Sequence, residues 1–299
     1  MYYKIGIDSG GTHVVAQAFS KEGAILAEAT AGPGNSLLNL SQTKENLEKV
    51  LTTIFATLPR QNCELIVAGV AGSQSAGNQD QLTDFLFRSF GCPVRVISDA
   101  ELARLKGLQG DDGLLVIAGT GSIVLGRFAN QEYRVGGWGH LLGDQGSAYD
   151  LVRQTFKGML QEVDTGRSGP LASLILQVFA VSDPLAAVAL FNRLSREEIA
   201  SFSKKLVTQG ENNTAFQAIV THCGQSLGEQ VLTLLSRVAP TAQTVKIAIT
   251  GSVLTQNHTL QQAFKEVIQK KYPQITFIPL VGTNATGALY YKGVDEHDI

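Results

Sequence analysis

The sequence is poor in the residues and runs that mark several large classes of protein. Its three cysteines, Cys63, Cys92 and Cys223, are far apart and give neither a disulfide framework nor a zinc or iron–sulfur spacing. No stretch approaches the ~20 consecutive apolar residues of a membrane span. The start, MYYKIGID, lacks the apolar segment of a signal peptide. We therefore expect a cytoplasmic protein without a membrane partner.

Charge of either sign is also scarce. The chain has 24 Lys and Arg and 26 Asp and Glu, so its net charge is -2, and no basic run indicates nucleic-acid binding. Apolar residues make up 44% of the chain, which is enough to form a large buried interior. Its length of 299 residues is more than one ordinary hydrophobic core accommodates. These numbers predict two domains and no nucleic-acid partner.

Glycine, in contrast, is plentiful, and it recurs in short turns that follow apolar strands. In YKIGIDSGGTHVVAQAF (3–19) a strand ends at Asp8, the turn Gly10-Gly11-Thr12 follows, and alternating residues from Val14 predict a second strand. A glycine turn that binds phosphate usually leads into a helix. The pattern here instead predicts such a turn at the tip of a β-hairpin.

The same arrangement occurs a second time. LLVIAGTGSIVLGRF (114–128) places Gly119-Thr120-Gly121-Ser122 between two strands, so that Gly121 corresponds to Gly11. Two later strands also have counterparts, since ELIVAGVAG is similar to KIAITGSVL, and VRVISDAELA is similar to ITFIPLVGTNATGAL. Each half is predicted to be a hairpin, a helix, a strand, a helix and a strand. Apolar strands separated by helices indicate an α/β fold with helices on both faces of a sheet.

Helical periodicity and a polar turn suggest where the domains divide. Apolar stripes predict helices over 41–58 and 146–160, and the region 171–237 is helical throughout. We place the boundary at the turn near Gly110. The first domain then covers 1–110, with a C-terminal helix 286–299 packing back on it. The second covers 111–285 and contains a helical insertion at about 146–237.

The two glycine turns suggest a polyphosphate ligand. Glycine lets the backbone approach an anion, successive amides of a tight turn form an anion-binding concavity, and Thr12, Thr120 and Ser122 can add hydroxyl donors. Asp8 would repel a phosphate, but it can hold a hydrated Mg²⁺ that contacts one. A single Gly-Thr-Gly turn is common in hairpins, so the prediction depends on the repeat together with Asp8.

Two further aspartates each allow two interpretations. Asp99 ends the strand VRVIS, where a carboxylate points into the ligand crevice of an α/β sheet, but it could instead be a helix N-cap. Asp144 follows the glycine-framed Trp138 in VGGWGHLLGDQG, a mixture suited to a sugar, and it could instead cap the next helix, which the sequence alone slightly favours. The residues alone leave both alternatives open.

Five segments together carry a resemblance to a known family. IGIDSGGTHV, SDAELA, AGTGSIVLGR, GGWGHLLGDQGSAYDL and ITGSVL resemble the N-acetylglucosamine kinases and their relatives, a group that includes the BadF/BcrA-type ATPases of the actin–hexokinase ATPase superfamily. The resemblance covers nearly the whole chain in the same order. It implies two RNase H-like domains with a central cleft, ATP in that cleft, a sugar next to the γ-phosphate, and a homodimer.

The resemblance also implies roles for individual residues. Asp99 would be the catalytic base and would contact the sugar, and Asp8 would hold Mg²⁺. The ATP-binding residues would be Gly10, Gly11, Thr12, Gly119, Thr120, Gly121, Gly251 and Ser252. The sugar-binding residues would be Asn35, Ser122, Gly137, Trp138, Gly139 and Asp144. Two departures stand out: Gln145 replaces the usual Glu, and the segment 208–216 does not match the family's adenine-binding segment.

We therefore expect an ATP-dependent kinase that phosphorylates the 6-hydroxyl of an N-acetylated amino sugar, with N-acetylglucosamine as the first candidate. N-acetylmuramic acid and glucosamine are alternative substrates. A function of a different class is that of an ATP-driven activator of a partner of the 2-hydroxyacyl-CoA dehydratase type. Such activators bind an iron–sulfur cluster through cysteines, and the cysteines of this chain do not have the required arrangement. A regulator with the same fold is a third possibility, and the chain has no helix-turn-helix extension.

Overall fold

The structure is a computed structural model, and it describes residues 1–166, 169–238 and 245–292. These residues form two compact units. The first unit contains residues 1–111 and the segment that begins at Leu280, and the second is Asp112–Pro279. The chain therefore returns to the first unit at Leu280, earlier than the predicted position at 286.

The first unit contains a five-stranded mixed sheet with the order β3-β2-β1-β4-β5. Strands β1, β2 and β3 are antiparallel neighbours, and β4 and β5 continue the sheet parallel to β1. The strands are β1 (Tyr3–Ser9), β2 (Val14–Phe19), β3 (Ile25–Ala31), β4 (Cys63–Val70) and β5 (Val94–Ser98); the helices are α1 (Leu40–Phe55), α2 (Ser73–Ala76), α3 (Gln79–Phe90) and α4 (Asp99–Leu108).

The second unit contains a sheet with the order β10-β9-β6-β7-β8. Its strands are β6 (Gly113–Ala118), β7 (Ser122–Phe128), β8 (Gln131–Gly136), β9 (Lys246–Thr250) and β10 (Thr276–Pro279); its helices are α5 (Ala148–Asp164), α6 (Pro170–Phe179), α7 (Pro184–Phe191), α8 (Arg196–Gln209), α9 (Thr214–Val238), α10 (Ser252–Gln256) and α11 (His258–Lys271).

The two sheets share one topology, because β6 to β10 pair with one another in the same way as β1 to β5. Each sheet has a strand that the sequence analysis did not predict. These strands, β3 and β8, lie at sheet edges. In β3 small alanines alternate with polar residues, and β8 contains few apolar residues, so neither is a run of large apolar residues. Each unit is therefore built on a mixed five-stranded sheet.

Apolar periodicity explains how α1 packs on the first sheet. Ile5 and Ile7 of β1 are fully buried, and so are Leu47 and Leu51, which lie one helical turn apart on α1. The helix begins one residue before the predicted serine. Its cap is Asn39, whose side chain accepts a hydrogen bond from the Gln42 amide at 3.0 Å.

The returning segment of the first unit was predicted to be a helix over 286–299. It forms a 3₁₀ helix, Ala285–Tyr290, which packs against β1 and α4. The close approach requires Gly6, because a Cβ there would overlap the Ala285 carbonyl. The end of the predicted helix, 293–299, lies outside the described residues.

The predicted continuous helical region of the second unit is divided into α6, α7, α8 and α9. Asp183 caps α7 by accepting the Ala186 amide at 2.9 Å, and Pro184 is the first residue of that helix. Within the described ranges, no single helix is long and apolar enough to span a membrane. The pair α6 and α7, which is bent by 56°, has that length and apolarity only when the two helices are taken together.

Candidate functional site

The carboxyl ends of three parallel strands meet at one edge of the first sheet. Asp8 is the next-to-last residue of β1 and pairs with Gly69 of β4. At the end of β4, Val70 pairs with Ser98, and Asp99 follows directly. Because ligands of open α/β sheets bind outside the carboxyl ends of the strands, this edge is a candidate site.

Asp99 is the first residue of α4 and not its N-cap. The cap is Ser98, whose hydroxyl oxygen accepts a hydrogen bond from the Glu101 amide at 3.1 Å. The interpretation of Asp99 as a helix cap is therefore wrong. Burial raises the pKa of Asp99, the negative charge of Asp8 raises it further, and a hydrogen bond from the Ala100 amide opposes both effects. The two carboxylates are thus close enough to interact.

The segment that returns to the first unit supports Asp8. Oδ2 of Asp8 accepts hydrogen bonds from the amide of Asn284 at 2.7 Å and the hydroxyl of Thr283 at 3.2 Å. Lys106 in turn donates from Nζ to the carbonyl oxygens of Val281 at 2.5 Å and Thr283 at 2.7 Å. Burial lowers the pKa of Lys106, and the charge of Asp8 opposes that shift.

Sequence reasoning missed Lys106, Thr283 and Asn284. Lys106 follows Asp99 by seven residues, which is two helical turns and places both on one face of α4. That spacing could have pointed to Lys106. Thr283 and Asn284 carried no such signal, because they lie far from Asp8 in the chain.

Asp8 fits the chemistry of Mg²⁺ binding. Its Oδ1 accepts no hydrogen bond from the part of the chain that the structure describes, so one oxygen is available. In the same residues no three His, Cys, Asp or Glu side chains are grouped as metal ligands. Mg²⁺ commonly binds through one or two carboxylates together with water and substrate phosphate, and an all-protein cage is not needed.

The first glycine turn lies between β1 and β2, so it is the tip of an antiparallel hairpin. The Gly10 amide donates to the His13 carbonyl at 3.0 Å, and the Gly10 carbonyl accepts from the Gly34 amide at 2.8 Å. Gly11 and Thr12 are exposed, and open space surrounds the position of a Cβ at Gly11. A ligand could therefore approach this backbone closely.

Asn35 follows Gly34 and lies beside the end of β4. It forms an isolated parallel bridge with Ala71, and its Oδ1 accepts from the amides of Leu37 and Leu38 at 3.1 and 3.3 Å. Its side-chain nitrogen donates no hydrogen bond within the described ranges and is available to a ligand. The neighbouring Ser36 is buried, and its hydroxyl contacts Asn78 at 3.2 Å, which is a structural role.

The second glycine turn lies at the carboxyl end of β6 in the second unit. The Gly119 amide donates to the Gly121 carbonyl at 2.9 Å, and the Gly119 carbonyl accepts from Ala148 at the start of α5 at 2.8 Å. Gly251 follows β9 with a φ of 94°, and a Cβ there would overlap the backbone of Ala118. Because Gly251 has no side chain, the ends of β6 and β9 can lie close together. Ser252 is the first residue of α10, which follows directly.

The glycine-framed tryptophan lies in a tightly bent loop after β8. Gly137 and Gly139 have φ angles of 68° and 83°, a conformation that favours glycine. Between them, Trp138 is 67% exposed. The Arg134 guanidinium carbon lies 4.3 Å from the centre of the indole ring, and the same group donates to the carbonyls of Gly136 and Gly137. The ring is therefore held in place while much of it faces solvent.

Asp144 does not cap the helix that follows it. Ser147 is the cap of α5 and accepts from the Asp150 amide at 3.1 Å, so the capping interpretation of Asp144 is wrong. Asp144 is instead 3% exposed and forms an ion pair with Arg196, with Oδ2 and Nη2 2.9 Å apart. Arg196, on α8, was not among the predicted residues, because its distance from Asp144 in the chain gives no signal.

The predicted sugar-binding Ser122 is buried and supports the loop that contains Asp144. Its hydroxyl donates to the Gln145 carbonyl at 2.7 Å, and Nε2 of Gln230 donates to the same oxygen at 3.2 Å. The Gln145 side chain itself is exposed. His140 packs edge-on against Tyr149, with ring centres 4.9 Å apart.

A cavity of about 280 Å³ opens between α8 and α10 of the second unit. Residues that line it include Ser203, Lys204, Val207, Thr208, Ser252 and Gln256. Ser252, predicted to contact the nucleoside, thus lies in a cavity that also offers apolar surface and polar groups. Of its α8 residues, Thr208 lies within the segment 208–216, whereas Ser203, Lys204 and Val207 precede that segment and carried no signal in the sequence.

Comparisons with known proteins show which family the chain resembles. The model of the BadF/BadG/BcrA/BcrD ATPase family matches residues 5–289. An N-acetylmuramic acid/N-acetylglucosamine kinase of Clostridium acetobutylicum is 28% identical over 97% of each chain. An N-acetyl-D-glucosamine kinase of Dictyostelium discoideum is 31% identical over 57% of each chain.

Among solved structures, a similar fold occurs in a Chromobacterium violaceum protein proposed to be an N-acetylglucosamine kinase. The TM-score is 0.70, the identity is 23%, and the match covers 97% of this chain and 98% of that one. The α/β fold with two five-stranded mixed sheets is therefore shared with that protein.

Proposed function

This chain belongs to the BadF/BadG/BcrA/BcrD ATPase family, and on that premise we propose that it is an ATP-dependent kinase of amino sugars. The γ-phosphoryl group of ATP would be transferred to the 6-hydroxyl of an N-acetylated amino sugar, with N-acetylglucosamine as the first candidate. The relative of the same length from Clostridium acetobutylicum, whose name includes this sugar, supports the substrate class.

The observation that carries the proposal is the environment of Asp99. Its carboxylate lies at the start of α4 and is not used as a cap, because Ser98 has that role. Burial and the charge of Asp8 raise its pKa, so the carboxylate binds a proton more readily than a solvent-exposed aspartate does. A carboxylate in this environment is suited to accept the proton of a sugar hydroxyl.

Asp99 would accept the proton that the sugar hydroxyl loses during phosphoryl transfer. The sugar O6 attacks the γ-phosphorus as the bond to the β-phosphate oxygen breaks, the O6 proton passes to Asp99, and ADP leaves. Protein kinases use an aspartate in the same role, and most of their catalysis is positioning and charge stabilisation. Asp8 would hold Mg²⁺, which when bound neutralises charge on the phosphates.

Within the second unit, several features suit parts of the sugar or of the nucleotide. The exposed face of Trp138 suits the apolar face of a sugar ring, and the Asp144 carboxylate suits its hydroxyls. The exposed turn at Thr120 would contact phosphate. The cavity beside Ser252 would hold the nucleoside, with Val207 as part of its apolar surface.

The alternative as an ATP-driven activator is less well supported. Such an activator would need cysteine thiolates to bind an iron–sulfur cluster. All three cysteines of this chain are buried, and burial raises the pKa of the Cys63 thiol to about 12. Thiols in this environment are poor cluster ligands.

Measurement of ADP release over a panel of sugars tests the proposal. N-acetylglucosamine, N-acetylmuramic acid, glucosamine and glucose are each added with MgATP, and a reaction without sugar gives the background ATPase rate. We expect the highest kcat/KM for an N-acetylated sugar and a 6-phosphate product in the ³¹P NMR spectrum. Sugar-independent ATP hydrolysis at the same rate throughout would refute the proposed function. Sedimentation of the same preparation tests the expected homodimer.

A further inference from the structure

Arg196, the first residue of α8, forms an ion pair with the buried carboxylate of Asp144. We infer that Arg196 is a positioning residue of the amino-sugar site, which it serves by holding the carboxylate of Asp144 in a fixed orientation. This inference rests on the proposed function, in which Asp144 binds the sugar.

Asp144 is a buried carboxylate in an unusual backbone position. Its φ is 59°, in the left-handed region that non-glycine residues seldom adopt, and only 3% of its surface is exposed. A carboxylate removed from water needs a hydrogen-bonded counter-charge. Arg196 meets that need, because its Nη2 lies 2.9 Å from Oδ2 of Asp144.

The ion pair uses only one of the two carboxylate oxygens. Oδ1 of Asp144 accepts no hydrogen bond from the residues that the structure describes. An arginine that binds Oδ2 fixes the rotation of the carboxylate and leaves Oδ1 as an acceptor of known direction. A sugar hydroxyl that donates to Oδ1 would then meet a preorganised partner, which lowers the entropic cost of binding.

Arg196 is itself held at a well-defined place. It is the first residue of α8, next to Ser195, which forms a capping box with Glu198: the Ser195 side chain accepts the Glu198 amide at 3.2 Å, and the Glu198 carboxylate accepts the Ser195 amide at 2.7 Å. The buried Nε of Arg196 has no hydrogen-bond partner in the described residues, so Asp144 is the partner that accounts for its orientation.

The ion pair also adjoins the second glycine turn. A Cβ at Gly121 would lie 2.7 Å from Oδ2 of Asp144 and would overlap Nη2 of Arg196. Arg196 is therefore close to the turn proposed to bind phosphate as well as to the sugar-binding carboxylate. The ion pair of Arg196 is with Asp144, and this pairing predicts an effect on the KM for the sugar and not on the KM for ATP.

A double-mutant cycle tests the inference in the full-length enzyme. Arg196→Met should raise the KM for the sugar about tenfold or more, as expected for a lost charged hydrogen bond, with the KM for ATP unchanged. In the Asp144→Asn background, Arg196→Met should have little further effect on the KM for the sugar, because the carboxylate that Arg196 holds is absent. Arg196→Lys should restore part of the affinity. Arg193→Met is the matched control, since Arg193 is an exposed neighbour, and it should behave as wild type.

Three results would overturn the inference. The first is an unchanged sugar KM in Arg196→Met. The second is an equal rise in both backgrounds, and the third is a change in the ATP KM instead. If Arg196→Met alone fails to fold, the variant that combines it with Asp144→Asn removes the unpaired buried charge, and its sugar KM is compared with that of Asp144→Asn. A wild-type enzyme without activity on any sugar would refute the proposed function itself, whereas an active one with a normal Arg196→Met variant refutes only this inference.

Discussion

Replacing Asp99 with asparagine separates its chemical role from its structural surroundings. Asparagine has nearly the same shape and cannot accept the sugar proton as a carboxylate does. The N-cap of α4 is unaffected, because Ser98 supplies it. We therefore expect Asp99→Asn to remain folded and to bind both substrates.

The expected loss of turnover follows from the role of a general base. Such a base contributes about 10²- to 10⁴-fold, so kcat should fall by that factor, which corresponds to roughly 3–5 kcal/mol of transition-state free energy. The KM values for sugar and ATP should change little, because binding does not require the proton transfer. Coupled ADP-release kinetics at saturating substrate measure both parameters.

The same substitution should stabilise the fold. The pKa of Asp99 is raised above 3.8, its ordinary value, so the folded state binds a proton more tightly than the unfolded chain does. Ionised Asp99 therefore opposes folding at neutral pH. The melting temperature of Asp99→Asn should exceed that of wild type at pH 7, and the difference should shrink as the pH falls through the pKa of folded Asp99 towards 3.8. In wild type, kcat should decrease over the same acidic range as the base is protonated.

Ser98→Ala provides the matched control. It removes the cap of α4 and should cost about 0.5–2 kcal/mol of stability, while folded enzyme keeps most of its turnover. Near-normal kcat in Asp99→Asn would remove Asp99 from the mechanism. A lower melting temperature in that variant at pH 7 would contradict the repulsion inferred between Asp99 and Asp8.

Two further substitutions test the supports of the site. Lys106→Met removes the ammonium group that holds the segment beside Asp8. In a Mg²⁺ titration, the concentration that gives the half-maximal rate should therefore rise about severalfold. An unchanged concentration would show that Lys106 does not support Asp8. Gly251→Ala combines an unfavourable φ with overlap on Ala118 and should cost about 2–5 kcal/mol in urea unfolding. Gly77→Ala, with a φ of 62° and open space, should cost only about 1–2 kcal/mol, and equal costs would argue against the overlap.

Much of the α/β architecture follows from short stretches of sequence. The hairpin at Gly10–Thr12 was predictable, because alternation on both sides of a small-residue turn is a local property. The edge strands β3 and β8 were not predicted, since neither contains the run of large apolar residues that indicates a buried strand. The 3₁₀ form of Ala285–Tyr290 had no local signal, because the contact of Ala285 with Gly6 depends on residues far apart in the sequence.

The candidate site shows the same division. The strand before Asp99 could be predicted from the local sequence, but the choice between a helix cap and a free carboxylate depended on which neighbour accepts the Glu101 amide. Only the structure identified Ser98 as that acceptor. The support of Asp8 by Asn284 likewise has no local signal, because the two residues meet only when the chain returns to the first unit.

The sequence by itself determined the type of each buried strand and most helices, the repeated glycine turns and the aspartates that end the strands. These features depend on periodicity and on the conformational preferences of neighbouring residues. The tertiary structure alone decided which group each aspartate meets, as with Asp144 and Arg196. A carboxylate's partner is set by distance in space, and a chain that folds brings together donors and acceptors whose separation in sequence carries no information about their contact.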